Sequence, residues 1–178
     1  MPRIPLDEFL KGLEETKSES DRAAAIVGAT MLETILEECI LLRLRPMSNT
    51  HRESLLGGES SFASFSAKID LGFSLGLYGQ KTKSDLNFIR KIRNEFAHHV
   101  NRDFAHSDVT KHCKELSDYA PRFEGAEGAL KKIDEYHAAF PRPEMRWRFL
   151  FATIEIGNKM LKESSENPSV PRGPTFLP

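Results

Sequence analysis

The stretch LNFIRKIRNEFAHHV, Leu86–Val100, decides the fold. Its apolar residues Leu86, Ile89, Ile92, Phe96 and Val100 recur at steps of three and four, the spacing that lines one face of an α-helix. Ser84 stands where it can cap the start, and Asp85 falls in the first turn, where a negative charge suits the helix dipole. His98 and His99 fall in the last turn, where a protonated imidazole is favoured. The same stretch carries Arg93, Asn94 and His98 where a plain core helix carries leucines. Arg93 comes four residues after Ile89 and three before Phe96, so it lies in or beside the apolar stripe. A guanidinium keeps its charge at neutral pH and at such a place needs a carboxylate, carbonyls, a phosphate or water.

Two readings of Arg93-Asn94-x-x-x-His98 follow. In the structural one, Arg93 is paired with Asp70, Glu33 or Asp21, Asn94 ties down a loop, and His98 belongs to the helix ending. Asp21, Arg22, Glu33, Asp70, Arg93 and Asn94 then make up a structural polar core. In the catalytic one, Arg93 holds a phosphate and His98 is a general acid or base. Ion-pair networks are commoner than catalytic sites, which favours the structural reading. A third is a polar pocket around Arg93 that senses a small molecule such as a phosphorylated sugar.

Working outward, the run from Phe62 to about Tyr78 suits a helix with Phe65, Ile69, Phe73 and Leu77 on one face. Gly72 and Gly76 lie four apart within it and mark a close approach of another helix, since glycine inside a helix costs roughly 1 kcal/mol against alanine. Residues 79–84 make a short connection. Upstream, Ser20 or Asp21 opens the longest helical pattern, running to about Leu44 and closed by Pro46. Glu33, Glu37 and Glu38 interrupt it, open to solvent or to a partner. Met47–Ser61 reads as a loop, with Gly57-Gly58 as punctuation. A short helix is expected over Pro5–Glu15. Downstream, a polar connection over 101–107 leads to a helix over Val109–Tyr119 capped by Ser107 or Asp108. Residues 122–128 read as irregular and 129–139 as a weak helix. A last helix runs from Pro143 to about Lys162, apolar nearly all round and therefore expected to be buried, in part by a second subunit. No strand pattern persists. The expectation is an all-α, single-domain bundle of about six to seven helices over 1–163, with a Pro/Ser-rich tail over 164–178 that is extended or disordered.

The 178 residues suffice for one domain with its own core. A formal net charge of -1 argues against a surface built as a whole to match nucleic acid. Two cysteines, Cys39 and Cys113, are too few for a disulfide framework and are read as reduced core thiols. There is no secretory signal and no run long and apolar enough for a membrane span, so the expected setting is cytoplasmic. His98, His99, His106, His112 and Cys113 show no metal-ligand spacing, and no phosphate-cradling glycine loop occurs. Neither a metal nor a cofactor is expected. Cys113 beside His112 is read as core, because neighbours on a helix do not face each other. No helix-turn-helix can be written over these residues, so direct nucleic-acid binding is not expected.

Three runs, Ser20–Ile40, Ser64–Leu77 and Asp85–His99, together resemble the mannitol operon repressor family and span about residues 20–120 in the family's order. The resemblance implies an all-helical transcriptional repressor of mannitol utilisation genes without a recognisable DNA-binding motif. Such a protein acts through a protein partner, for instance a DNA-binding regulator, and a homodimer is expected. The Arg93-Asn94-x-x-x-His98 signature also resembles that of HEPN helical domains, many of them metal-independent ribonucleases whose paired motifs meet across a dimer. That resemblance implies Arg93 as phosphate clamp, Asn94 as orienter, and His98 as the group working on the ribose 2′-hydroxyl. The first expectation is a regulator without enzymatic activity; an RNase is the alternative.

Overall fold

The computed structural model describes residues 20–44, 46–117 and 144–166. Among them are six helices and no strand, the all-α bundle the periodicity implies. The expected helices over 5–15 and 129–139 and nearly all of the tail lie outside the described residues.

Helix α1 (Asp21–Arg43) is the central element. The Ser20 hydroxyl accepts the Ala23 amide at 3.2 Å, which satisfies one of the donors left free at a helix start. Ala24, Ala25, Ala29, Leu32, Ile35, Leu36, Cys39 and Ile40 are buried along its length. At Gly28 a Cβ would stand 3.3 Å from the Phe149 ring, so the small residues of α1 let the last helix come close.

Helix α2 (Asn49–Leu56) corrects the expected loop over Met47–Ser61. Ser48 caps it by accepting the His51 amide at 3.2 Å, and the Gly57 amide closes it on the Glu53 carbonyl at 2.9 Å. Its only buried residue is Leu56, so it has no apolar stripe for a periodicity reading to detect. Helix α3 (Phe65–Ser74) starts three residues later than its apolar run because Ser64 supplies the cap. Gly72 is the close approach expected: a Cβ there would lie 2.9 Å from Leu36 Cδ1 and 2.7 Å from the Tyr78 hydroxyl. Gly76 is not. It stands past the helix end at φ +69, a turn conformation that L side chains avoid.

Helix α4 (Gln80–His98) starts on Gly79, a turn before Ser84, which therefore lies inside it. Leu86, Ile89, Ile92 and Phe96 are fully buried, but Val100 falls past the end and is 85% exposed. Helix α5 (Ser107–Glu115) is capped by the His106 ring, whose Nδ1 accepts the Asp108 amide at 3.3 Å, rather than by Ser107 or Asp108. At its other end Arg148 donates to the Cys113 carbonyl at 2.8 Å and to that of Leu116, placing a cation at a helix C-terminus.

Helix α6 (Glu144–Glu166) packs most extensively against α1, and also against α5 and α4. Those three faces account for burial of Trp147, Phe149, Leu150, Ala152, Ile156 and Met160 within one chain. It continues through Ser164, itself buried, beyond the expected helix end at Lys162. Phe96, Phe104 and Phe149 stack in series, with ring centroids 4.9 and 5.5 Å apart. Phe104 comes from the connection between α4 and α5, so that polar-looking segment is anchored in the core.

Candidate functional site

The motif sits on the second half of α4. Arg93 and Asn94 are half-buried, and Arg93 Nη1 donates to Asn94 Oδ1 at 3.2 Å. His98 is exposed on the last residue of the helix and makes no hydrogen bond to either among the described residues. One turn before Arg93 stands Arg90, whose Nε is buried without an acceptor among the described residues. Residues three apart on a helix are neighbours, so two guanidinium groups share one side of α4. Neither has a carboxylate partner among the described residues.

The expected pairing of Arg93 with Asp70, Glu33 or Asp21 does not form, because each of those carboxylates serves another cation. Asp70 takes Lys83 at 2.8 Å, Glu33 takes Lys68 at 3.1 Å, and Asp21 takes Arg146 at 2.5 Å. For the last two the physical reason is desolvation. Arg146 is 0% exposed and the Lys68 side chain 9%, so neither can keep its charge without a counterion, whereas half-buried Arg93 retains water.

Asp21 and Arg22 together hold the chain that leaves α4. Arg22 Nη2 donates to the His99 carbonyl, and the Phe104 amide donates to Asp21 at 3.1 Å. Within that connection Arg102 collects the local carboxylates, reaching Glu95 at 3.3 Å and Asp108 at 3.4 Å, and also contacts His106 Nε2. The acids near the end of α4 are therefore spoken for, and Arg90 and Arg93 are left with none.

A second network binds α1 to its neighbours. Lys68 reaches Glu37 at 2.9 Å as well as Glu33, and Arg52 reaches Glu37 and Glu38, each at 2.8 Å. Burial pushes the Glu37 carboxyl up, but the hydrogen bonds and charges of Arg52 and Lys68 outweigh it and hold the group below its ordinary value. Burial likewise pulls Lys68 down, and Glu37 with Glu33 more than reverses this. Arg52 is raised chiefly by its bond to Glu37. The α1 carboxylates expected to face solvent or a partner thus tie α1 to α2 and α3.

Cys39 and Cys113 are buried, and burial raises both thiols, Cys113 to about 12. His112 is lowered by burial and by the charge of Lys91, and lies 6.2 Å from the Phe88 ring. Among the described residues no three His, Cys, Asp or Glu side chains come together to hold a metal ion. A cavity of about 300 Å³ lies between the α3–α4 turn and α6, lined by residues that include Tyr78, Thr82, Lys159 and Glu163. Its Thr82 is eleven residues from Arg93, roughly 16 Å along the helix, so this cavity is not a pocket around the motif.

Arg146 and Lys68 are the polar residues that the sequence reading missed, and the signal for both was present. Each is a cation inside an apolar run, Arg146 between Met145 and Trp147, and Lys68 three after Phe65 and just before Ile69. The rule that singled out Arg93 applies to them with greater force.

These features define a class: an all-helical bundle on a long central helix, closed by a buried arginine–aspartate pair, with a polar motif at the end of its most amphipathic long helix. Among solved structures, the chain is similar to one in the X-ray structure of the MtlR-HPr complex from Escherichia coli. The TM-score is 0.60 and the identity 20%, over 87% of this chain and 97% of that one. At that identity the likeness is one of fold. No protein-family model matches the chain, and comparison with curated proteins gives no match. No helix among the described residues is long and apolar enough to cross a membrane.

Proposed function

We propose that this chain is a regulator of the mannitol-repressor type, lowering gene expression by binding a protein partner rather than by reading DNA. The observation that carries the reading is the likeness of fold, which extends over nearly all of a chain whose structure belongs to a complex with another protein. Two further features support it. The described helices offer no glycine-turned pair with a basic recognition face, and the charges of α1 are tied internally instead of being spread for a phosphate backbone. The partner is a protein such as a DNA-binding regulator, the chain acts as a cytoplasmic homodimer, and it has no catalytic activity of its own. The test is affinity capture from extract, identification of the captured protein, and reconstitution with purified components by calorimetry. A saturable complex between the purified pair supports the reading; failure to reconstitute any captured protein overturns it.

A second reading has one observation in its favour. Arg93 has no carboxylate and is oriented by Asn94, as a phosphate clamp requires. An RNase using Arg93, Asn94 and His98 would cleave labelled RNA in the presence of chelator, and His98→Ala would abolish the cleavage. Cleavage by the parent alone replaces the first reading with this one, and equal silence from both removes it.

A further inference from the structure

The pairings around α4 leave an imbalance of charge. Arg102 holds Glu95 and Asp108, Asp21 holds Arg146, and Asp70 holds Lys83. Arg90 and Arg93, neighbours on one side of the helix, keep uncompensated positive charge. Arg93 has one nitrogen fixed on Asn94, which leaves its Nε and Nη2 edge oriented for a planar, two-oxygen acceptor. Arg90 Nε has no acceptor among the described residues, so that side chain is not anchored and can turn toward an incoming oxygen. Past the end of the same helix, Val100 is one of two large apolar side chains exposed among the described residues. Cations beside an exposed apolar residue are the composition of a protein-binding surface.

Building on the partner-binding reading above, we propose that the Arg90–Arg93–Asn94 side of α4, with Val100 beyond its end, docks an acidic segment of a protein. Carboxylates would take the two guanidinium forks, and an apolar residue of the partner would cover Val100. From Arg90 to Val100 is about 15 Å, the reach of roughly five residues of extended chain. Single-stranded RNA fits less well. Its recognition stacks bases on exposed aromatic rings, and none of the described aromatic side chains is exposed. The net charge of -1 also provides no long-range attraction for a polyanion.

The test uses the full chain and a fluorescein-labelled decaglutamate peptide, read by fluorescence anisotropy at low and physiological salt. Binding by the parent is expected to be saturable. It should weaken about tenfold in Arg90→Gln/Arg93→Gln, the size of one lost charge-assisted hydrogen bond. Lys111→Gln, on the exposed side of α5, should bind as the parent does. Absence of binding, or equal binding by the double variant, overturns the proposal. So does an oligouridylate of equal length that binds more tightly and depends on the same two arginines, since the surface would then be one for phosphates. Should the double variant melt early, Arg93→Lys carries the test, because it keeps the charge and loses the fork; undiminished affinity there is fatal to the proposal. A reconstituted natural partner that binds the double variant as well as the parent removes this surface while leaving the regulatory reading intact. Peptide binding without any reconstitutable partner does the reverse.

Discussion

Replacing Asp21 by alanine isolates the interaction that closes the bundle. Asp21 accepts from Arg146 at 2.5 Å and from the Phe104 amide at 3.1 Å, so the truncation strips a counterion from a side chain that is 0% exposed and orphans a backbone donor. Breaking a buried pair by removing one partner costs about 3–5 kcal/mol, chiefly because an uncompensated charge stays behind. Arg146 makes further contacts, which argues for the lower part of that range. With about 2–4 °C per kcal/mol for a chain of this length, the midpoint of thermal unfolding should fall by about 10 °C. The decisive measurement is a double-mutant cycle by circular dichroism. Arg146→Met removes the charge and keeps an apolar stem in place, so Asp21→Ala/Arg146→Met should melt above Asp21→Ala alone. A fall of less than about 2 °C for the single variant, or strict additivity in the cycle, would refute the claim that a stranded guanidinium is the cost.

Three other outcomes are expected. Gly72→Ala should lower the urea midpoint by the equivalent of about 1–2 kcal/mol, since crowding against Leu36 and the Tyr78 hydroxyl outweighs the roughly 1 kcal/mol that alanine adds to helix propensity; a rise would show that the helices do not meet there. Lys68→Met should destabilise by about 2–3 kcal/mol, with a pH dependence whose sign is set by the pair. Glu37 lies below its ordinary 4.5 when folded, so its contribution is present above that value and lost as pH falls through the folded one. Lys68 lies above 10.5, so its contribution is present below that value and lost as pH rises through the folded one. The gap in melting temperature between parent and variant should thus be flat near neutrality and narrow at both extremes; a gap that varied through neutral pH would refute the pairing. Finally, a thiol reagent at pH 8 should titrate Cys39 and Cys113 only as the chain unfolds, and prompt reaction of the native protein would contradict their burial.

How far the sequence could be read differs from element to element. Helix α1 was legible because its cap, its apolar positions and its closing Pro46 all point the same way. The stripe Leu86, Ile89, Ile92, Phe96 was legible for the same reason, and only Val100 was assigned one turn too far. Helix α2 was not, because a single buried leucine makes no period. Its existence depends on Ser48 and Gly57 at its ends and on Arg52 reaching the α1 carboxylates. Phe104 escaped notice because its neighbours are polar, yet it completes a ring stack between α4 and α6. The motif residues were found from the sequence, but the fate of Arg93 was not: its expected partners lay with Lys83, Lys68 and Arg146.

What the sequence by itself determined is the helical class, the inward face of each long helix, and the list of charges that could not all remain solvated. Those are local properties, because a repeat of about 3.6 residues and a cap act within a few positions along the chain. Only the tertiary structure decided which charge answers which. Asp21 and Arg146 are 125 residues apart, and no spacing rule links them. The choice is made by burial: once packing has removed water from Arg146 and Lys68, the nearby carboxylates stabilise those cations most, and Arg93, at the edge of the core, keeps a charge still to be met.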